Sequence, residues 1–335
     1  MTIDDHLKRR LEKPTNYFLT EEDKRVIKFS GIKDFVYRKL TSTKFRKTSI
    51  DDLSRQCVQK AIDLNVSLNQ PIKFTYPFGA YKTFRLPSFP EVDWAEFMAI
   101  SYILRYIAPV AAAYEPGVEL IFSSDDVVIE LIDNYPREAL DSYHSSFKNL
   151  INSFEKHLPR NIKILFKQIV PDIYSKDEYD VEISELYQNF RKEGLTEERK
   201  EKLKLGFDFN CMRNGKFDLT DQTTYEKALE DLMYWNEAYM KLSKRRAFVR
   251  GEDKIVIFSN KIPNAIDIGS TNVSKAKFWV GTGVFETDGE LFYDRVLSPK
   301  QYDQAVKDIK ETAIDIITMK NFKTVPTINK RLGYR

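Results

Sequence analysis

One stretch does most to limit what this chain can fold into. Val118-Glu119-Leu120-Ile121-Phe122 is a short apolar run of strand type. From Pro136 to Leu158 a helical period places Leu140, Tyr143, Phe147, Leu150, Ile151, Phe154 and Leu158 on one face. Ile162-Lys163-Ile164-Leu165-Phe166 then reads as a second strand. A strand, a crossover helix and another strand joined by short connections form a βαβ unit, and its strands run parallel.

The stretch before it has the same form. Ile72 to Pro77 alternates as a strand does, and a corner-rich loop with Gly79, Pro87 and Pro90 follows. Asp93 and Glu96 stand at the spacing of a capping box, opening a helix that runs through Ile100, Ile103 and Ile107 towards Tyr114, with Pro109 as a point of kinking or division. The fold expected is α/β: a Rossmann-like, mostly parallel sheet flanked by helices, spanning residues 71–320 as a catalytic domain.

Three additions complete the expected layout. Residues 1–70 read as a polar helical extension, with Ser49 able to cap a helix through Ala61 and Leu64. Residues 180–250 read as a charged helical insertion made of Glu182–Leu203 and Tyr225–Phe248, followed by a strand at Lys254–Phe258. Ala276–Phe285 and Glu290–Tyr293 read as a β-hairpin around Asp288-Gly289. A last helix starts at Ser298-Pro299 and carries Tyr302, Val306, Ile309, Ala313 and Ile316, leaving 321–335 as a loosely ordered tail.

Composition removes several function classes. Aromatic residues make up 13% of the 335, with 23 Phe and 18 Tyr, which argues for a packed core and against disorder. Cys57 and Cys211 stand far apart and outside any CxxC spacing, and His6, His144 and His157 show no metal-ligand spacing, so neither a disulfide scaffold nor a metal site is expected. There is no run of about 18 apolar residues and no apolar signal segment, so no membrane span is expected and the cytoplasm is the default location. A net charge of +3 is no nucleic-acid signal, although basic residues outnumber acidic ones between Lys8 and Lys60, most densely around Arg38-Lys39 and Lys44 to Lys47. That stretch reads either as a solvated helical surface or as a patch for an anionic partner such as tRNA.

No GxGxxG, P-loop, HExxH or GxSxG motif is present. The best candidate site is Ser123-Ser124-Asp125-Asp126, because ligands of open α/β sheets bind beyond the carboxyl ends of parallel strands. Its hydroxyls suit a carboxylate or phosphate, and its carboxylates suit an amino group or a proton. The same residue types also cap turns. Lys82 and Arg85, in the corner-rich loop, form a second candidate for binding anionic groups. Glu96 reads as a cap rather than a catalyst. Lys277 in the hairpin and Ser259-Asn260-Lys261 at another strand end could close the same pocket, and Gly281-Thr282-Gly283 reads as a bulge or strand end.

The order Pro77-Phe78-Gly79-Ala80-Tyr81-Lys82, Leu86-Pro87, a helix, Tyr114-Glu115-Pro116-Gly117, a strand and Ser124-Asp125 resembles the isocyanide (isonitrile) synthases of the PvcA type. Asp126 stands where that family has Gly. The resemblance covers about half the chain. It implies a Rossmann-like fold and a reaction in which an amino acid's amino group becomes an isonitrile. The carbon comes from a pentose phosphate as co-substrate, with no resident cofactor. It further implies Lys82 in imine or phosphate chemistry and Asp125 in orienting the amino acid or moving protons. Arg85, Ser123, Ser124, Asp126 and Lys277 are then substrate contacts. Two other readings stay open. One is a transferase of cyclodipeptide-synthase type that uses aminoacyl-tRNA, with Ser123 or Ser124 as acyl acceptor. The other is a non-catalytic protein that keeps the fold. The sequence leaves the oligomeric state unknown.

Overall fold

The apolar runs at Ile72–Phe78 (β1), Val118–Ser124 (β2), Ile162–Gln168 (β3), Lys254–Phe258 (β4) and Ile266–Asp267 (β5) assemble side by side in the order β3-β2-β1-β4-β5. Every pairing is parallel. The computed structural model describes residues 2–46, 48–79, 82, 91–124, 130, 135–204, 221–245, 251–258, 264–269, 278–317 and 319–329. The chain builds outward from β1 through β2 to β3, then returns to lay β4 on the other side of β1. That reversal makes the carboxyl ends of β1 and β4 the switch point, where a sheet of this kind opens a crevice.

One sheet face carries Phe74, Tyr76, Phe78, Leu120 and Phe122 into the main core. Helices α4 (Trp94–Ala113) and α5 (Arg137–Glu155) cover it. Phe147 of α5 lies 4.9 Å from the Phe78 ring and 5.2 Å from Phe122, and Tyr106 of α4 lies 6.4 Å from Phe74. Each such aromatic contributes about 1.5–3 kcal/mol by leaving water. The helix α4 is mostly apolar because it is nearly surrounded. It has the length and hydropathy (1.2) of a membrane span, yet 78% of that window is buried within the fold. Pro109 sits inside α4 without dividing it.

The N-terminal helices α1 (Ile3–Glu12), α2 (Glu21–Leu40) and α3 (Asp52–Ser67) pack Leu7, Phe35, Leu40, Val58 and Ile62 into this same core. A bridge from Arg46 to Ile268 ties the segment to the β5 edge. On the other sheet face Val256 packs with α6 (Lys176–Glu193) and α8 (Gln222–Arg245), through Tyr179, Ile183, Tyr239 and Leu242. The helix expected over Glu182–Leu203 is two helices, since α6 ends at Glu193 with Gly194 as its cap and a separate α7 spans 197–204.

The carboxyl-terminal part departs further from expectation. The hairpin exists as β6 (Thr282–Thr287) paired antiparallel with β7 (Phe292–Leu297). The Asp288 carboxylate accepts from the Glu290 and Leu291 amides, and Gly289 takes a φ of +94° that the turn requires. The last helix, α9, covers only Pro299–Ala305. Val306, Ile309 and Ala313 keep helical spacing, but the chain instead forms β8 (Lys310–Ala313), because β9 (Thr324–Ile328) supplies its ladder. Where a loose tail is expected after residue 320, β9 lies between β6 and β8, with Val325 and Ile328 buried.

Candidate active site

Four segments converge beyond the end of β1. Lys82 follows that strand by four residues and is fully buried. Asp93 and Glu96 open α4, Tyr143 and His144 lie on α5, and Thr282 and Gly283 begin β6. The local reason Asp93 and Glu96 stand so close is the capping box. The Asp93 carboxylate accepts from the Ala95 amide at 2.7 Å and the Glu96 carboxylate accepts from the Asp93 amide at 2.7 Å. Both caps then take long-range partners. The Lys82 ammonium donates to Glu96 Oε2 at 2.6 Å and lies 2.9 Å from Asp93 Oδ1. The Tyr143 hydroxyl lies 2.9 Å from Glu96 Oε1, and the Thr282 hydroxyl donates to Asp93 Oδ2 at 2.7 Å.

This cluster holds one ammonium against two carboxyls. Burial pushes the Glu96 carboxyl up to about 8; the Lys82 ammonium opposes the rise and the Asp93 carboxylate adds to it. Near neutral pH Glu96 therefore carries a proton. Burial, followed by the nearby Glu96 carboxyl, likewise raises the Tyr143 phenol and keeps it protonated.

The β6 backbone reaches this cluster only because residue 283 is glycine. A Cβ there would lie 2.3 Å from both the Ala95 nitrogen and the Trp94 carbonyl carbon. The Gly283 amide instead sits 3.3 Å from Asp93 Oδ1 and donates to it. Gly283 is thus a strand residue at a close approach, not a bulge.

A second polar group adjoins the first. Ser124 ends β2 level with Phe78 of β1, and its Oγ is 2.8 Å from His144 Nε2. The Gln168 side-chain amide lies 3.1 Å from His144 Nδ1. The ring is thus held between Ser124 and Gln168, and its tautomer sets which of the two it donates to. Burial pushes His144 down to about 3, with Arg137 and Lys148 adding to the shift, so the ring is neutral. Tyr143 and His144 are consecutive, with ring centroids 6.3 Å apart, and this places the two groups side by side on α5.

Of the residues singled out in the sequence, Lys82 and Ser124 lie on this face. Ser123 points to the opposite one by strand alternation, where its Oγ is buried without a hydrogen-bond partner. Arg85, Asp125, Asp126, Lys277 and Ser259-Asn260-Lys261 lie outside the described residues. Glu96 is a cap that also joins the site, and Tyr143 and His144, which the sequence places on an apolar helix face, join it there. The available signal was their position on the core face of a crossover helix beside a strand end. Among the described residues no group of three His, Cys, Asp or Glu side chains is arranged to hold a metal ion.

No family model matches the chain, and no curated protein sequence matches it. The fold is similar to that of the PvcA protein from Pseudomonas aeruginosa, at a TM-score of 0.59 and 13% sequence identity, over 89% of this chain and 99% of that one. At that identity the likeness is one of fold.

Proposed function

We propose that this chain is an isonitrile-synthase-like enzyme that converts the amino group of an amino acid using a pentose phosphate as carbon donor. The observation that carries the reading is the wholly buried Lys82 amine at the end of β1, held between Asp93 and Glu96 beside the switch point. The fold likeness to PvcA supports it, as does the order of motifs along the chain.

In this reading Lys82 forms an imine with the carbonyl carbon of the sugar phosphate. The amine must first give up a proton, and the acceptor beside it is the Asp93 carboxylate. The neutral nitrogen attacks the carbonyl to give a carbinolamine, which loses water to form the imine. Glu96, with its high proton affinity, returns a proton to the departing hydroxyl. Tyr143 holds Glu96 in place from its other oxygen. The Ser124 hydroxyl, held by His144, is placed to meet a substrate carboxylate or phosphate.

The tRNA-dependent reading asks for an activated serine. His144 Nε2 lies 2.8 Å from Ser124 Oγ, while the Ser123 Oγ is buried without a hydrogen-bond partner, so that reading would rest on Ser124 and is tested by tRNA binding at low salt. The non-catalytic reading asks for a filled pocket with Lys82 and Asp125 turned to solvent; Lys82 is buried, and Asp125 lies outside the described residues.

The test is to incubate the protein with each aromatic amino acid and ribulose 5-phosphate and search the products by mass spectrometry. An isonitrile is expected from the wild type and not from Lys82→Arg. No isonitrile from any aromatic amino acid, with folded protein, would overturn the reading.

A further inference from the structure

Towards the opposite end of α4 from Lys82, a cavity of about 580 Å³ opens between α1, α4 and the β6–β7 hairpin. Arg105 lines it, and the helical rise places that residue about 13 Å along the axis from Glu96. Arg9, Arg10, Lys13 and Lys44 bring four more cations to the same wall. The buried Asp294 carboxylate sits behind them, 2.7 Å from Arg10 and 2.9 Å from His6 Nε2, and fixes both side chains. Lys13, Lys44 and Arg105 have no carboxylate within ion-pair distance among the described residues.

Asp294 offsets only part of this charge, and Lys13, Lys44 and Arg105, gathered in a concave site, repel unless a further anion sits among them. The rest of the lining is of another kind: Tyr17, Phe45, Phe292 and Tyr293 contribute aromatic rings, and Pro14 and Pro109 contribute apolar surface. Phe45 packs against Tyr102 and Tyr106, and Phe292 against His6; a lone phosphate would leave uncovered the ring surface that remains on the cavity wall, and the volume is that of a site for a larger molecule, roughly 300–1,000 Å³.

We propose that this cavity binds a nucleoside polyphosphate, with the phosphates against the Arg9, Arg10, Lys13 and Arg105 cluster and the base against the aromatic rings. Guanidinium groups take phosphate oxygens in pairs, and rings take a planar base by stacking. The cavity is separate from the Lys82 cluster, so the proposal stands or falls independently of the reaction catalysed there.

Calorimetric titration of the full-length chain with ATP, AMP, inorganic pyrophosphate and a short single-stranded RNA decides it. One saturable site for ATP is expected, about tenfold tighter than for AMP or pyrophosphate and weakened by added salt. Arg105→Gln and Lys13→Gln are each expected to weaken ATP binding by about tenfold through loss of a charge-assisted contact. Both side chains are exposed, so the thermal unfolding midpoint should not move. Absence of saturable ATP binding, or unchanged binding in both variants, overturns the proposal. Equal affinity for ATP and pyrophosphate overturns the nucleotide assignment, as does RNA that binds more tightly than ATP.

Discussion

Lys82 Nζ and Glu96 Oε2 meet at 2.6 Å with 0% of either side chain exposed, fourteen residues apart in the chain. A pair so placed couples the loop after β1 to the first turn of α4. Removing one member leaves the other's charge or proton without a partner in a medium that solvates neither. Lys82→Met is therefore expected to destabilise the fold by about 3–5 kcal/mol, since Asp93 is left as an unpaired buried carboxylate. Glu96→Gln should cost less, because Glu96 already holds a proton near neutral pH. Urea denaturation of both variants checks the order.

The two shifted groups give opposite pH slopes. Glu96 binds its proton more tightly in the folded state, about 8 against 4.5, so its contribution is fully present below about pH 4.5 and is lost as pH rises through 8. His144 binds its proton less tightly when folded, about 3 against 6.5, so stability falls as pH drops from 6.5 towards 3. The two partly cancel between 4.5 and 6.5. Between 6.5 and 8 the Glu96 decline is expected to remain, and Glu96→Gln should flatten it. His144→Gln should reduce the acid-side loss. Unfolding midpoints measured from pH 4 to pH 9 on the three proteins read both effects.

Ser124→Ala removes the hydroxyl partner of His144 Nε2 and leaves a buried ring nitrogen unsatisfied. A loss of about 1–3 kcal/mol is expected. Substrate binding should weaken as well, with little change in turnover, because in the proposed reaction the serine holds substrate and does not attack it. Steady-state kinetics separate KM from kcat and test that division.

Gly283→Ala is expected to be among the most damaging small substitutions in the chain. Its Cβ would lie 2.3 Å from the backbone of α4, and backbone at a helix start cannot yield as a side-chain tip can. Separation of β6 from α4 would also withdraw the Gly283 amide and the Thr282 hydroxyl from Asp93. Thermal denaturation should show a drop well beyond that of Thr282→Val, which removes only the hydroxyl. A drop no larger than that of Thr282→Val would count against the close approach.

The parallel sheet was legible because each of its first three strands is a short apolar run separated by a helix with a clear face. The capping box at Asp93 and Glu96 was legible for the same reason: its spacing is local. The second role of Glu96 was not, because Lys82 and Tyr143 reach it from fourteen and forty-seven residues away, and no local period encodes such distances. His144 was hidden by composition, being a single histidine on an apolar helix face. At the carboxyl end Val306, Ile309 and Ala313 carry a helical period that the β9 pairing overrides. β9 itself was masked by Pro326, a residue that argues against a strand interior.

Chemical trapping at Lys82 tests the central claim most directly. The protein is incubated with ribulose 5-phosphate and sodium borohydride, digested, and mapped by mass spectrometry. A reduced sugar-phosphate adduct is expected on Lys82 in the wild type and not in a folded Lys82→Arg variant. Adducts spread over surface lysines with Lys82 unmodified, or an adduct pattern that Lys82→Arg leaves unchanged, would contradict it.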